Sequence, residues 1–241
     1  MGLPVSEIKY VQSLRIKKFR QRYHQFIVEG DKSVAELLHS DWQVMQCYHT
    51  DAFVPKGNAV QFIRVNEKEM ERLSHHQSPQ NALAVVSMQA GIEKIPDSGI
   101  QLYLDGIRDP GNLGTILRIA DWYGIKNVWC SEDSVDVYNP KSIDASMGSF
   151  IRVKLHVHEG RDFLHQCSLP SYAAVMDGEN IHQMKLPEDA VILVGNEGKG
   201  IRPELMTAAQ YSVSIPRFGE AESLNAGVAA ALLLDNFFRG L

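Results

Sequence analysis

Three short stretches hold the residue types that do chemistry: Asn112 and Arg118 in "DPGNLGTILR", Glu197 in "VILVGNEGKGI", and Ser223 with Asn225 in "RFGEAESLNAG". A strand that ends in glycines brings backbone N–H groups close to a ligand, as in the phosphate loop and the dinucleotide-binding turn. Neither pattern fits residues 191–201. Lys199 precedes Gly200 instead of following it, Ile201 stands where a magnesium-binding hydroxyl belongs, and Gly195, Gly198 and Gly200 give the dinucleotide spacing in reverse. Glu197 at the centre would repel a polyphosphate. The loop is suited to a ligand other than a triphosphate.

The first stretch admits a dinucleotide reading, because Glu132 and Asp133 stand about where a ribose-binding acid belongs. Only Gly111 and Gly114 are present, so the glycine fingerprint is incomplete. Taken singly, Asn112 reads as a helix cap, Arg118 as a surface residue, Ser223 as a cap, and Ala226, Gly227, Ala229 and Ala230 as packing positions. Three loops that each place polar groups near glycine go beyond capping.

The elements that must position these loops are short apolar runs alternating with helical patterns. From residue 98 onward, strands are expected at "IQLYLDGI", "NVWCSED", "FIRVKLHV", "YAAVMDG", "AVILVG" and "YSVSIP". Helices are expected at "NLGTILRIADWYG", "GRDFLHQC", "RPELMTAA" and "SLNAGVAAALLLDNFFRG". This is the pattern of an α/β fold with a mostly parallel sheet and helices on both faces, whose ligands bind at the carboxyl ends of strands. Residues 1–90 form a smaller alternating α/β unit: a basic helix, the strand "FIVEG", a helix over 31–40 that Asp31 could cap, and strands at "WQVMQCYHT", "QFIRV" and "ALAVVSM" with a helix before the last. Residues 89–100 read as a linker. The expected domains are therefore 1–90 and 98–241.

Charge divides unevenly across that boundary. The chain carries a formal -5, made up of +2 over residues 1–90 and -7 over the remainder. The segment 9–22 holds Lys9, Arg15, Lys17, Lys18, Arg20 and Arg22 with no acid, interleaved with Tyr10 and Phe19. Such a stretch suits a polyanion, and equally the solvated face of a first helix. Cys47, Cys130 and Cys167 are scattered and odd in number, which suggests neither a disulfide framework nor a zinc site and points to a reducing, cytoplasmic setting. No apolar run approaches a membrane span, and the first residues lack a signal-peptide pattern.

Taken together and in order, "NLGTILR", "LVGNEGKGI" and "IPRFGEAESLNAGVAAA" resemble the three motifs of the SpoU/TrmH (SPOUT) family of RNA ribose methyltransferases. The resemblance covers essentially the whole second domain, and "DASMGSFIRVKLH" is similar to the segment before the family's fourth sheet region. Residues 1–90 look like the substrate-binding domain of many members, itself similar to ribosomal proteins that bind kinked RNA.

The resemblance implies S-adenosylmethionine as cofactor, transfer of its methyl group to a ribose 2′-hydroxyl, a C-terminal trefoil knot, and a homodimer that completes each site. Its carried-over catalytic residues are Asn112, Arg118, Glu197, Ser223 and Asn225. Its cofactor-binding residues are Gly195, Ile215, Leu224 and Asn225, with no metal. Arg15, Lys17, Lys18, Arg20 and Arg22 are the expected RNA contacts. Ribosomal RNA is the first choice of substrate, because the smallest transfer-RNA members lack such a domain; transfer RNA is the second. Two roles stay open for Arg118: a base, or a charged group that stabilises the 2′-alkoxide, since a guanidinium holds its proton to above about pH 12. Thr115, Ile119 and Arg217 depart from the usual residues. The competing classes are a catalytically silent RNA-binding protein, which would be expected to have lost Arg118, Glu197 or Asn225, and a nucleotide-dependent dehydrogenase.

Overall fold

The computed structural model describes residues 2–89 and 94–239. Part of the expected linker thus lies outside the described residues. The chain divides into two compact units: residues 1–90 with Asp136–Ile151, and residues 91–135 with Arg152–Leu241.

The first unit is built on a mixed sheet of β1 (Gln25–Glu29), β2 (Val44–His49), β3 (Gln61–Arg64) and β4 (Ala82–Ser87), in the order β1-β4-β2-β3. The β2–β3 pair is parallel and the other two are antiparallel. β4 is central, and its run Ala82–Val86 is buried on both faces. Alternation along the strands serves two cores. Phe26, Val28, Ala84 and Val86 meet Leu37 and Trp42 on one face, while Ile27, Leu83 and Val85 meet Ile8, Val11 and Leu14 on the other.

The basic stretch is two helices, not one: α1 (Val5–Ser13) and α2 (Lys17–Tyr23), with Ile16 extended between them. The break leaves carbonyls at the end of α1 without helical partners, and Arg20 supplies the donors. Its Nη1 donates to Leu14 O at 3.0 Å and Arg15 O at 2.8 Å. In α3 (Asp31–Leu37) the cap position is Gly30, and Asp31 instead accepts from the backbone and side chain of Asn81, both at 2.9 Å. α4 (Glu67–Leu73) carries a reciprocal capping box between Asn66 and Glu69.

The second unit is a six-stranded, wholly parallel sheet: β5 (Ile100–Asp105), β6 (Asn127–Cys130), β7 (Lys154–Val157), β8 (Ser171–Asn180), β9 (Ala190–Gly195) and β10 (Tyr211–Ser214), in the order β10-β8-β9-β5-β6-β7. Its helices are α5 (Pro110–Trp122), α7 (Gly160–Gln166), α8 (Pro203–Ala208) and α9 (Ala226–Phe238). Phe163 of α7 and Leu205 of α8 join Tyr103, Trp129 and Leu193 in one core cluster, while α5 and α9 pack together. The order reverses at β5, whose sequence successors run to one side through β6 and β7 while β9, β8 and β10 lie on the other. Such reversals open crevices at strand carboxyl ends.

The expected strand over residues 150–157 is shorter than its apolar pattern. Only Lys154–Val157 is strand; α6 (Pro140–Ser146) and a 3-10 turn at Ser149–Ile151 precede it, within the segment that packs into the first unit. Ile143 and Phe150 are buried in the core of Phe26 and Trp42, and the Trp42 indole donates to Ile151 O at 3.1 Å. Among the described residues, no helix is long and apolar enough to cross a membrane.

Candidate active site

Within the second unit, the ends of β5 and β9, the loop after β10 and the starts of α5 and α9 converge. The cap of α5 is Asp109, whose carboxylate accepts from Asn112 N at 2.8 Å. Asn112 is therefore not the cap, and its side chain is free for another use. It donates to Glu197 Oε1 at 2.5 Å and accepts from Asn225 Nδ2 at 2.7 Å. Asn225 is the cap of α9, its Oδ1 accepting from Gly227 N at 2.9 Å and Val228 N at 3.3 Å. With that oxygen committed to the helix, the amide nitrogen can only point to Asn112. The direction of every amide from α9 to Glu197 follows from this one cap.

The turn after β9 is closed by its own backbone. Asn196 N donates to Gly200 O at 3.1 Å, and Gly200 N returns a bond to Asn196 O at 2.9 Å. A Cβ on Gly195 would lie 2.3 Å from the Gly200 carbonyl carbon, and Gly200 has φ +70°. These two glycines are required by the turn itself.

Asn196 ties the turn to β5. Its Nδ2 donates to Gly106 O at 2.8 Å and to Glu197 Oε2 at 3.3 Å, and its Oδ1 accepts from Gly198 N and Lys199 N at 3.0 and 3.1 Å. Behind it, the buried Asp105 accepts from Arg202 N and Arg202 Nε, both at 2.7 Å. That bond, together with Coulomb attraction, raises the Arg202 pKa against its partial burial. The Ser131 hydroxyl, helped by Arg202 and Arg108, holds Asp133 below the usual carboxylate range against the opposing cost of desolvation. Asp105, Asp109, Asn196 and Arg202 were not singled out from the sequence. Asn196 and Asp109 stand inside the quoted stretches, and Asp109 before Pro110 has the local signal of a helix cap; Asp105 and Arg202 carry no signal that separates them from ordinary polar residues.

Beside this network lies a cavity of about 890 Å³. Gly195, Ile215 and Leu224 line it, as do Glu197 and Ser223. Val194, Met176, Met206 and Leu233 add apolar wall; Asp177 and Glu222 add carboxylates, against Lys199 and Arg217 as cations. Asn112 and Asn225 join through Glu197 without lining it. Arg118 is not brought to this place. It is exposed on α5, makes no hydrogen bond or ion pair with the described residues, and lies about 9 Å along the helix and about 240° around it from Asn112.

In the first unit, Lys17, Lys18 and Arg22 are exposed, with Tyr23 41% exposed beside them. Arg20 is buried instead: its guanidinium also pairs with Asp136 at 2.7 Å, and its side chain is 2% exposed. Arg15 is partly committed as well, donating to Leu73 O and Ser74 O at 2.8 and 2.6 Å. These two arginines hold backbone; of the five expected contacts, Lys17, Lys18 and Arg22 face solvent.

The profile of the SpoU rRNA Methylase family matches residues 99–235, and that of the MRM3-like substrate binding domain matches residues 6–84. The chain is 29% identical over 235 residues to the 23S rRNA (guanosine(2553)-2′-O)-methyltransferase RlmP of Bacillus subtilis (strain 168), covering 95% of this chain and 94% of that one. A TrmH-family structure from Porphyromonas gingivalis superimposes with a TM-score of 0.91 at 35% identity, covering 100% of both chains. An rRNA methyltransferase from Sinorhizobium meliloti, solved with S-adenosylmethionine bound, gives a TM-score of 0.89 at 25% identity and covers 100% of this chain and 97% of that one.

Proposed function

The chain belongs to the SpoU rRNA Methylase family, and we propose that it transfers a methyl group from S-adenosylmethionine to a ribose 2′-hydroxyl of ribosomal RNA. The observation that carries this reading is the run Asn225, Asn112, Glu197, fixed in direction by the α9 cap and ending at the wall of the cavity.

The cavity residues fit the cofactor. It has no phosphates and carries a sulfonium and an ammonium against one carboxylate, so a wall with Asp177, Glu197 and Glu222 against Lys199 and Arg217 has the complementary charge. Ile215, Leu224 and Val194 offer apolar contact for a purine, and the turn from Gly195 offers backbone groups. When bound, the cofactor supplies a methyl group on a good leaving group. The chain's residues must then align the hydroxyl and manage its proton, and alignment alone is worth about 7–11 kcal/mol. Glu197 and Asn112 orient the acceptor side of the cavity. The Arg118 guanidinium stabilises the developing 2′-alkoxide, while water or a phosphate oxygen takes the hydroxyl proton.

That role needs Arg118 at a site its own chain does not bring it to. The proposal therefore includes a homodimer in which each Arg118 serves the other copy. Its support is the exposed position of Arg118 and the apolar surface on the same helix pair: Trp122 is 85% exposed, Val228 48% and Leu232 39%. The C-terminal trefoil knot belongs to the same reading, supported by the return of α9 to pack on β9 and α5 after β10 has been laid at the sheet edge. The first unit would hold RNA through Lys17, Lys18 and Arg22, in a cytoplasmic setting suited to three free cysteines.

The test is transfer of labelled methyl from S-adenosylmethionine into unmodified ribosomal RNA and, separately, transfer RNA, followed by nucleoside mass spectrometry. A 2′-O-methylated nucleoside from ribosomal RNA, absent with Arg118→Ala, is the expected result. Label in transfer RNA alone would reassign the substrate, and failure to bind S-adenosylmethionine would overturn the reading.

A further inference from the structure

The first unit holds a cluster that the methyl-transfer reading does not use. Glu29 at the end of β1, His75 and His76 after α4, and Asp144 on α6 converge from three segments of chain. The Glu29 side chain is fully buried. One of its oxygens is occupied by the Ser74 hydroxyl at 2.6 Å and Gln80 N at 3.3 Å. The other, Oε2, accepts from His75 N at 3.2 Å and turns toward both imidazoles, 3.0 Å from His75 Nδ1 and 3.9 Å from His76 Nε2.

His75 Nδ1 is the telling atom. It is buried 3.0 Å from Glu29 Oε2, and that oxygen lies off the ring N–H axis, so the two make an ion contact and not an aligned hydrogen bond. Two such atoms have the spacing of neighbouring ligands around a third body. Zinc with bonds of about 2.0–2.2 Å sets its tetrahedral ligands about 3.3 Å apart. The Glu29–His75 spacing is already near that value, and all three ligand atoms lie within 4.8 Å of one another. His76, 33% exposed, has freedom to close the rest. On its far side, His75 Nε2 stands 2.8 Å from Asp144 Oδ2. A carboxylate on the second ring nitrogen fixes the tautomer that leaves Nδ1 free to ligate.

We propose that Glu29 Oε2, His75 Nδ1 and His76 Nε2 form a binding site for a divalent transition metal of the zinc class, with Asp144 orienting His75 and a water completing four ligands. Two carboxylates neutralise the ion, and the partly open His76 side provides entry. Because Asp144 lies on α6, the site fastens the segment Asp136–Ile151 to the β1 end of its own unit.

The test uses full-length, tag-free protein stripped with a chelator. Titration with zinc is followed by elemental mass spectrometry after desalting and by thermal melting, and cobalt(II) serves as the spectroscopic probe. One equivalent per chain, a rise in Tm with zinc, and a cobalt absorption band of a nitrogen–oxygen site are expected. His76→Ala should lose all three while melting normally without metal, because His76 makes no short side-chain hydrogen bond. Asp144→Asn should weaken zinc affinity by about 10- to 100-fold. Absence of stoichiometric metal, or binding that survives His76→Ala, would overturn the proposal and leave His75 as a protonated bridge between two carboxylates. Should Glu29→Gln fail to fold, the His76 and Asp144 variants still decide the question.

Discussion

Asn112 donates its side-chain amide to Glu197 at 2.5 Å across 85 positions of sequence, and it does so because Asp109 has taken over the capping of α5. A helix that used Asn112 as its own cap would turn that amide back to the backbone. Asn225 does the reverse, spending its oxygen on the α9 cap and its nitrogen on Asn112.

Arg118→Ala should lower methyl transfer by about 10²- to 10³-fold, the scale for losing one charge-stabilising group, while calorimetry shows cofactor affinity unchanged. Mixing Arg118→Ala with Asn225→Ala protein checks whether the group acts across subunits. If it does, random exchange gives about a quarter of the sites both intact halves, and activity returns to that level. A mixture no better than its parents would place Arg118 in its own chain's site.

Gly195→Ala should abolish measurable cofactor binding and cost about 1–3 kcal/mol of stability, since its Cβ would lie 2.3 Å from the Gly200 carbonyl carbon. Gly198→Ala, whose Cβ meets only the Asn196 side chain at 3.7 Å, should be nearly silent in stability. Urea melts of the two variants side by side read this difference.

Charge reversal at Lys17, Lys18 and Arg22 should weaken RNA binding and reduce the slope of log K against log salt by about one for each phosphate no longer neutralised. Arg20→Met belongs to a different experiment. It leaves Asp136 without its partner and the α1 carbonyls without donors, so the expected result is about 3–5 kcal/mol of lost stability with the salt slope unaltered. RNA binding at an unchanged slope in the triple variant would return that stretch to a plain solvated helix.

Burial, with a smaller contribution from Lys154, pushes the His156 imidazole down to about 4. Its stabilising effect is complete above the unfolded value near 6.5 and is lost as pH falls from there toward 4, because the unfolded chain takes up a proton that the folded one refuses. Stability should drop by up to about 3 kcal/mol over that window. His156→Gln, which keeps a donor toward Asn127, should flatten that part of the profile in urea melts at successive pH values.

The parallel α/β unit is legible in the order of residues, because a buried strand such as "AVILV" writes its burial as an unbroken apolar run. So is the candidacy of Asn112, Glu197 and Asn225, because motifs on strand-end loops keep their spacing however the strands are ordered. Which local reading each residue takes is not legible there. Asn112 and Ser223 both look like caps, and the folded chain puts Asp109 and Asn225 in those places instead. Arg20 looks like one more exposed cation in a basic run, yet the helix break at Ile16 turns it inward to satisfy carbonyls and Asp136. The segment 136–151 sits in the second domain's sequence and packs with the first unit's core, a placement decided by Ile143 and Phe150 finding Phe26 and Trp42. Local pattern records periodicity and propensity, and these are short-range. Hydrogen bonds such as Asn112 to Glu197, and the pairing of His75 with Glu29, join residues whose separation in sequence carries no information, so the folded chain alone assigns them.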